Sequence, residues 1–210
     1  MSVTLILVIV TCLISYQASN NPSMLAQLVH SPYREKNNNE YYRMLSSGFI
    51  HSPRTWAHLA INMLVLYQFG EIVERLFVEF SGPMVGRINY LLLYLITIVL
   101  ASLPSYFRHQ DNYAYSALGA SGAVSGIMLI FALILPWETL LLFFIIPCPA
   151  IIALVLYLLY SQWADRNQND NIGHDAHFFG ALIGGAIAVA LYPQILEIFV
   201  YRLVNEFPFG

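Results

Sequence analysis

The chain has 210 residues, of which 58% are apolar and 10% charged, with a mean hydropathy of +0.63. Soluble domains carry roughly 25% charged residues, so this composition leaves too little polar surface to cover a globule in water and makes lipid part of the solvent. The formal charge of −3 provides no basic patch and excludes nucleic acid as a partner.

Each helical crossing of a bilayer needs ~20 apolar residues, and hydropathy divides the chain into six apolar blocks, which predicts one all-α membrane domain over 1–210. The first block, 3–17, lacks the basic n-region of a secretory leader and reads as a span. A polar segment follows over 18–55, with Arg34, Glu35, Lys36 and the group Tyr41-Tyr42-Arg43. It is too long for a plain turn, and its aromatic residues suit a segment lying at the membrane surface. The remaining blocks are 56–77, 88–107, 119–135, 139–163 and 176–199. Cys12 and Cys148 fall inside apolar blocks and read as small hydrophobes, with no disulfide framework.

The fourth block is too short. A helix from Ser121 to the breaker at Pro136 has ~15 residues and a length of about 22 Å, against a hydrocarbon core of ~30 Å. Ser121 is therefore expected roughly 8 Å below one interface, reached by irregular backbone descending through 112–118. Such backbone is tolerated at depth only where it lines protein or a water-filled cavity. Orientation is less legible. With the N-terminus inside, the inner connections hold Arg75, Arg87 and Arg202, while the outer ones hold Arg34, Lys36, Arg43, Arg54, Arg108 and Arg166, and that balance favours the opposite orientation.

Polar side chains inside spans are costly and mark functional sites. His58 and Asn62 are four apart and share one face of the second block. His177 opens the sixth block, with Gly180 and Gly184 at i+3 and i+7. The fourth presents Gly119, Ser121, Gly122 and Gly126. Small residues spaced by four let membrane helices approach closely, which would bring Ser121 Oγ to His177 as a nucleophile to its general base. A lone serine in a membrane helix is usually a packing residue; the joint occurrence on three blocks is what points to chemistry. Metal and aspartyl chemistries fare worse. His58 is followed by Leu59, Ala60, Ile61 and Asn62, which is no HExxH site. His174 and His177, with Asp175 between them, make a weak metal pair, and Asp111, Asp165, Asp170 and Asp175 all fall in loops or at a span edge.

These residues together resemble the rhomboid family of intramembrane serine proteases over about 41–192. The serine motif stands as Gly119-Ala120-Ser121-Gly122, the second-span HxxxN motif as His58 to Asn62, and the sixth-span motif as Ala176-His177-Phe178-Phe179-Gly180 with Gly184. The resemblance implies a six-helix transmembrane bundle with both termini cytoplasmic and a cavity opening outward, an orientation preferred here to the charge count. It implies Ser121 as nucleophile and His177 as base, with Asp175 given no role, and His58 and Asn62 as oxyanion-hole side chains beside the backbone N–H of Ser121. It further implies transmembrane protein substrates in a lipid bilayer, no cofactor and no metal. The compact form suggests a bacterial inner membrane. Arg43 matches the family where Tyr42 replaces its usual tryptophan, and Phe69-Gly70 with Glu74-Arg75 resembles the end of its second span, Glu74 reading as structural. Pro147 and Pro149 are expected to kink the fifth helix, which together with a 161–173 loop resembles the family's side gate. The alternatives are an inactive relative that binds or escorts membrane helices, and a channel or carrier, against which no inverted repeat is visible.

Overall fold

The computed structural model describes residues 1–52, 56–142, 145–167 and 174–207, with the side chains of 164–167 and 174 left aside. A helix forms in each of the six apolar blocks: α1 (Val3–Ser19), α5 (Trp56–Ser81), α6 (Pro83–His109), α7 (Ser121–Ile134), α8 (Ala150–Asn167) and α9 (His174–Leu191). Between the first two lie α2 (Pro22–Leu28), α3 (Pro32–Asn38), α4 (Tyr42–Ser46) and a 3₁₀ turn at Ser47–Phe49, and α10 (Gln194–Asn205) follows α9. Among the described residues, α6 alone is long and apolar enough to cross a membrane unaided; α1, α7 and the Ala150–Trp163 part of α8 are apolar but shorter.

Two blocks differ from their expected form. The fifth is not one kinked helix: Thr139–Leu142 (β1) and Ile146–Pro149 (β2) pair antiparallel, and α8 begins only after Pro149. Pro147 and Pro149 lie on the second strand of this hairpin and delay the helix, which fits the exclusion of proline from helix interiors. Ser161, expected in a loop, sits inside α8, and residues 168–173 of that loop lie outside the described residues. The sixth block is broken at Tyr192-Pro193, beyond which α10 turns by 109° from α9.

α7 is the centre of the bundle. None of its residues is exposed, and it packs most extensively on α9, with α5, α6 and α8 around it. The contact with α9 is backbone on backbone. A Cβ added to Gly180 would lie 2.2 Å from the carbonyl oxygen of Gly122, and one added to Gly184 would lie 2.7 Å from the Cα of Gly126. Away from this seam the core is ordinary apolar packing, with Leu66, Phe77, Tyr90, Tyr94, Ile127 and Ile130 fully buried and Phe69 stacked on Phe131 at 4.4 Å. Glu74 anchors the far end. Its buried carboxylate accepts from the first amides of α1, Val3 N at 3.0 Å and Thr4 N at 2.8 Å, and Arg87, just past the α5–α6 turn, approaches it to 3.4 Å. Helix N-termini leave such amides without intrahelical partners and favour an anion there.

The described part of the polar segment, 18–52, is a folded scaffold for the irregular stretch that leads to α7. His30 and Ala117 exchange two backbone hydrogen bonds, of 3.0 and 3.1 Å, and Gly119 N donates to Ser47 O at 3.0 Å. The His30 ring bridges Glu35 (2.6 Å) and Ser105 of α6 (2.9 Å), fixing the segment to the bundle. Arg43 is fully buried, donates to the carbonyls of Ala26 and Val29 and to Glu40, and holds its guanidinium 5.5 Å from the Tyr42 ring, so tyrosine supplies the stacking partner.

Gly180→Ala must push α9 off the α7 backbone and is expected to cost about 1–3 kcal/mol of stability. Gly122→Ala, whose new methyl would meet Ala101 Cβ at 3.2 Å and Ala176 O at 3.3 Å, is expected to cost less than half of that. Denaturant midpoints of the detergent-solubilised variants measure both, and equal midpoints would show that the seam does not set the helix separation.

Candidate active site

Ser121 is the first residue of α7, and the turn before it is made by Gly119, whose φ of +123° suits glycine. A side chain there would also crowd His58, since a Cβ would lie 3.2 Å from its Cε1. Across the glycine seam, His177 Nε2 lies 2.7 Å from Ser121 Oγ. Both residues are buried, at 7% and 6% exposure, so the pair is held in a low-dielectric setting that leaves little room for competing water.

His58 and Asn62 share a face of α5 as their spacing predicts. The point a Gly119 Cβ would occupy is 3.8 Å from His58 Nε2 and 3.7 Å from Ser121 Oγ, so His58 faces Ser121 across a small gap. Asn62 is buried and donates one amide hydrogen to the His58 carbonyl at 2.9 Å, which leaves its second for another acceptor. Beside Ser121 a cavity of about 40 Å³ is lined mainly by apolar residues such as Ile98, Ala101 and Leu118, with His30, Ser47, Ser102 and Ser105 as its polar groups. Asp175 is turned away, accepting from the amide of Ala176 at 2.8 Å and lying 3.6 Å from Arg108 of α6. The His174 side chain, weighed as a metal partner of His177, lies outside the described residues.

Sequence reasoning missed four residues here. His51, at the end of the 18–52 scaffold, is 1% exposed. Its Nδ1 bonds Ser15 of α1 at 3.1 Å, its Nε2 accepts from Ala120 N at 3.5 Å, and its ring meets that of His58 edge-on at 5.4 Å. Burial, with His58 adding repulsion, holds its pKa down to about 3, so His51 is a neutral acceptor for the turn that presents Ser121. The other three are Ser125, Tyr157 and Ser161. Ser161 Oγ lies 3.1 Å from His177 Nδ1, and the Tyr157 ring stacks on the imidazole at 5.5 Å between centroids and 24° between planes. Spacing did carry a signal: Ser125 is four residues from Ser121, and Tyr157 four from Ser161, each pair on one helix face.

Fold and site together define a helical membrane domain built around a buried serine–histidine pair. Residues 38–194 match the Rhomboid domain, and the chain belongs to the rhomboid family of integral membrane proteins. It is 30% identical over 156 residues to the RHOMBOID-like protein 12, mitochondrial, of Arabidopsis thaliana, covering 71% of this chain and 46% of that protein. It is 32% identical over 151 residues to the Rhomboid protease GluP of Bacillus subtilis, covering 72% of this chain and 26% of that protein. The yeast Rhomboid protein 1, mitochondrial, is 28% identical over 145 residues, 67% of this chain and 39% of its own. The chain thus spans less than half the length of each of these relatives. Their addresses are mitochondrial as well as bacterial, so they do not single out the bacterial inner membrane expected from the compact form.

The depressed pKa of His51 sets a pH dependence. Below pH 6.5 the unfolded chain takes up a proton at this residue that the folded chain refuses until about pH 3. The stability this contributes is complete above pH 6.5 and is lost as pH falls, at about 1.4 kcal/mol per unit. Between pH 6 and 4.5 the wild-type unfolding free energy should fall more steeply than that of His51→Gln, which keeps an acceptor without titrating. Parallel slopes in detergent denaturation series would show that His51 is not neutral in the fold.

Proposed function

We propose that this chain is an intramembrane serine endopeptidase that cuts peptide bonds in or near the transmembrane helices of membrane protein substrates. The observation that carries the reading is the 2.7 Å contact between Ser121 Oγ and His177 Nε2, buried at the start of a helix too short to span. In this reading α1, α5, α6, α7, α8 and α9 form a six-helix transmembrane bundle, α7 completing its crossing through the descending segment before it, and the cavity opens on the side from which that segment comes.

The chemistry follows from the geometry. His177 Nε2 takes the hydroxyl proton as Ser121 Oγ attacks the scissile carbonyl, forming a C–O bond and placing a negative charge on the carbonyl oxygen. The gap between His58 and Ser121 is where that oxygen would sit, with His58, the second amide hydrogen of Asn62 and the N–H of Ser121 as donors. Fixed donors in a dry site stabilise developing charge strongly, and removal of one costs about 10²–10³ in rate. Collapse breaks the C–N bond, and His177 passes its proton to the departing amine. Water, deprotonated in turn by His177, then cleaves the acyl ester and restores Ser121. No cofactor or metal takes part in this scheme, and its partners are the substrate helix and the surrounding lipid.

A fluorophosphonate probe is expected to label the detergent-solubilised protein and to fail on Ser121→Ala, and His177→Ala is expected to abolish cleavage of a single-span test substrate. Equal labelling before and after the serine change would refute the nucleophile. An absence of both labelling and cleavage in the wild type would favour a binding or escort role.

A further inference from the structure

The base is held by more than its nucleophile, and hydrogen-bond polarity shows how. A backbone carbonyl can only accept, and each hydroxyl has one proton to give. Ser125 Oγ bonds the carbonyl of Ser121, one helical turn back, at 2.7 Å, which commits its proton. The Tyr157 hydroxyl, 3.0 Å from Ser125 Oγ, must then be the donor in that pair. Ser161 Oγ lies 3.1 Å from His177 Nδ1, and for Nε2 to take the Ser121 proton the imidazole hydrogen must lie on Nδ1 and be donated to Ser161. Nε2 is then the bare nitrogen, and it is the one facing Ser121.

We propose that Ser161 and Tyr157 of α8 are positioning residues that fix the tautomer and ring plane of His177. The proposal rests on the reading of Ser121 and His177 as nucleophile and base and extends it to a third helix. The Ser121 carbonyl fixes the direction of the first two links, so the Tyr157 hydroxyl donates to Ser125 and anchors the ring that lies over His177. The stacked Tyr157 ring restrains the imidazole in the remaining rotation. Ser161 is 1% exposed, so its lone pairs are not diverted to bulk water. A serine oxygen carries no charge, so this support orients the imidazole without drawing its proton away, unlike a carboxylate.

The test separates orientation from packing. Ser161→Ala is expected to lower kcat on the single-span substrate about tenfold, the worth of one buried hydrogen bond, while KM stays within about twofold of wild type. Ser161→Thr keeps the hydroxyl and is expected to recover most of the rate, and Tyr157→Phe, which keeps the stacking ring, to fall between them. In ¹⁵N-histidine spectra of the inactive Ser121→Ala protein, His177 should be protonated at Nδ1, and Ser161→Ala in that background should mix the tautomers. Full kcat in Ser161→Ala, an equal loss in Ser161→Thr, or an Nε2-protonated His177 would each overturn the proposal. Cleavage that survives Ser121→Ala would instead overturn the reading on which it rests.

Discussion

Everything in this molecule that concerns chemistry hangs on how closely α7 and α9 approach. In lipid there is no hydrophobic gain from pressing two apolar helices together, since the tails are as apolar as leucine, and association depends on van der Waals contact and polar links. Glycines at 122, 126, 180 and 184 permit that contact by removing the side chains that would hold the backbones apart, with the Gly180 position only 2.2 Å from a carbonyl oxygen as a methyl would meet it. Ser121 stands one residue before the first of these glycines and His177 three before the third. The seam and the site are therefore one structure. Any displacement at the seam reaches the 2.7 Å serine–histidine contact within a turn of helix.

A close helix pair alone would leave Ser121 at the end of a backbone stretch with nothing to satisfy its amides. Water is scarce at depth, and an unpartnered N–H there costs several kcal/mol. The polar segment before α5 supplies the acceptors. His30 and Ser47 take up Ala117 and Gly119 through their carbonyls, and His51 takes Ala120 through its ring. This explains why so polar a segment belongs to so apolar a chain: its buried Arg43 ties its own turns together through carbonyls at Ala26 and Val29. Its histidines point inward as hydrogen-bonding parts of the fold.

What the sequence made legible was whatever depends on spacing along one element. Glycine and serine at the start of a block, histidine and asparagine four apart, and a helix shortened by Pro136 are all local patterns, and α7 does begin at Ser121. Apart from the glycine-faced approach of the fourth and sixth blocks, contacts between elements were not legible. The hairpin of β1 and β2 hides within a continuous apolar run, where a buried strand and a helix share the same hydropathy, and only its two prolines hint that a helix cannot start there. Likewise the break at Pro193 separates two apolar stretches whose averages look like one span. Tyr157 and Ser161 escaped because a tyrosine and a serine in a membrane helix are commonplace. Their meaning comes from His177 on another helix, which no spacing within α8 reports.

The short helix also has an electrostatic consequence. A helix N-terminus carries roughly half a positive charge, and at a surface salt and water screen it. In the proposed bundle α7 starts below the interface and places that end, and the amides of its first turn, in a medium of low dielectric, where the same partial charge acts more strongly on an anion at Ser121. A full-length span would put its N-terminus in water and lose this field. In the proposed reaction, the deficit of residues that seemed to leave α7 unable to cross is what brings its dipole to the reacting oxygen. The folded 18–52 segment is the structural cost of keeping the approach to that point free of unpaired backbone.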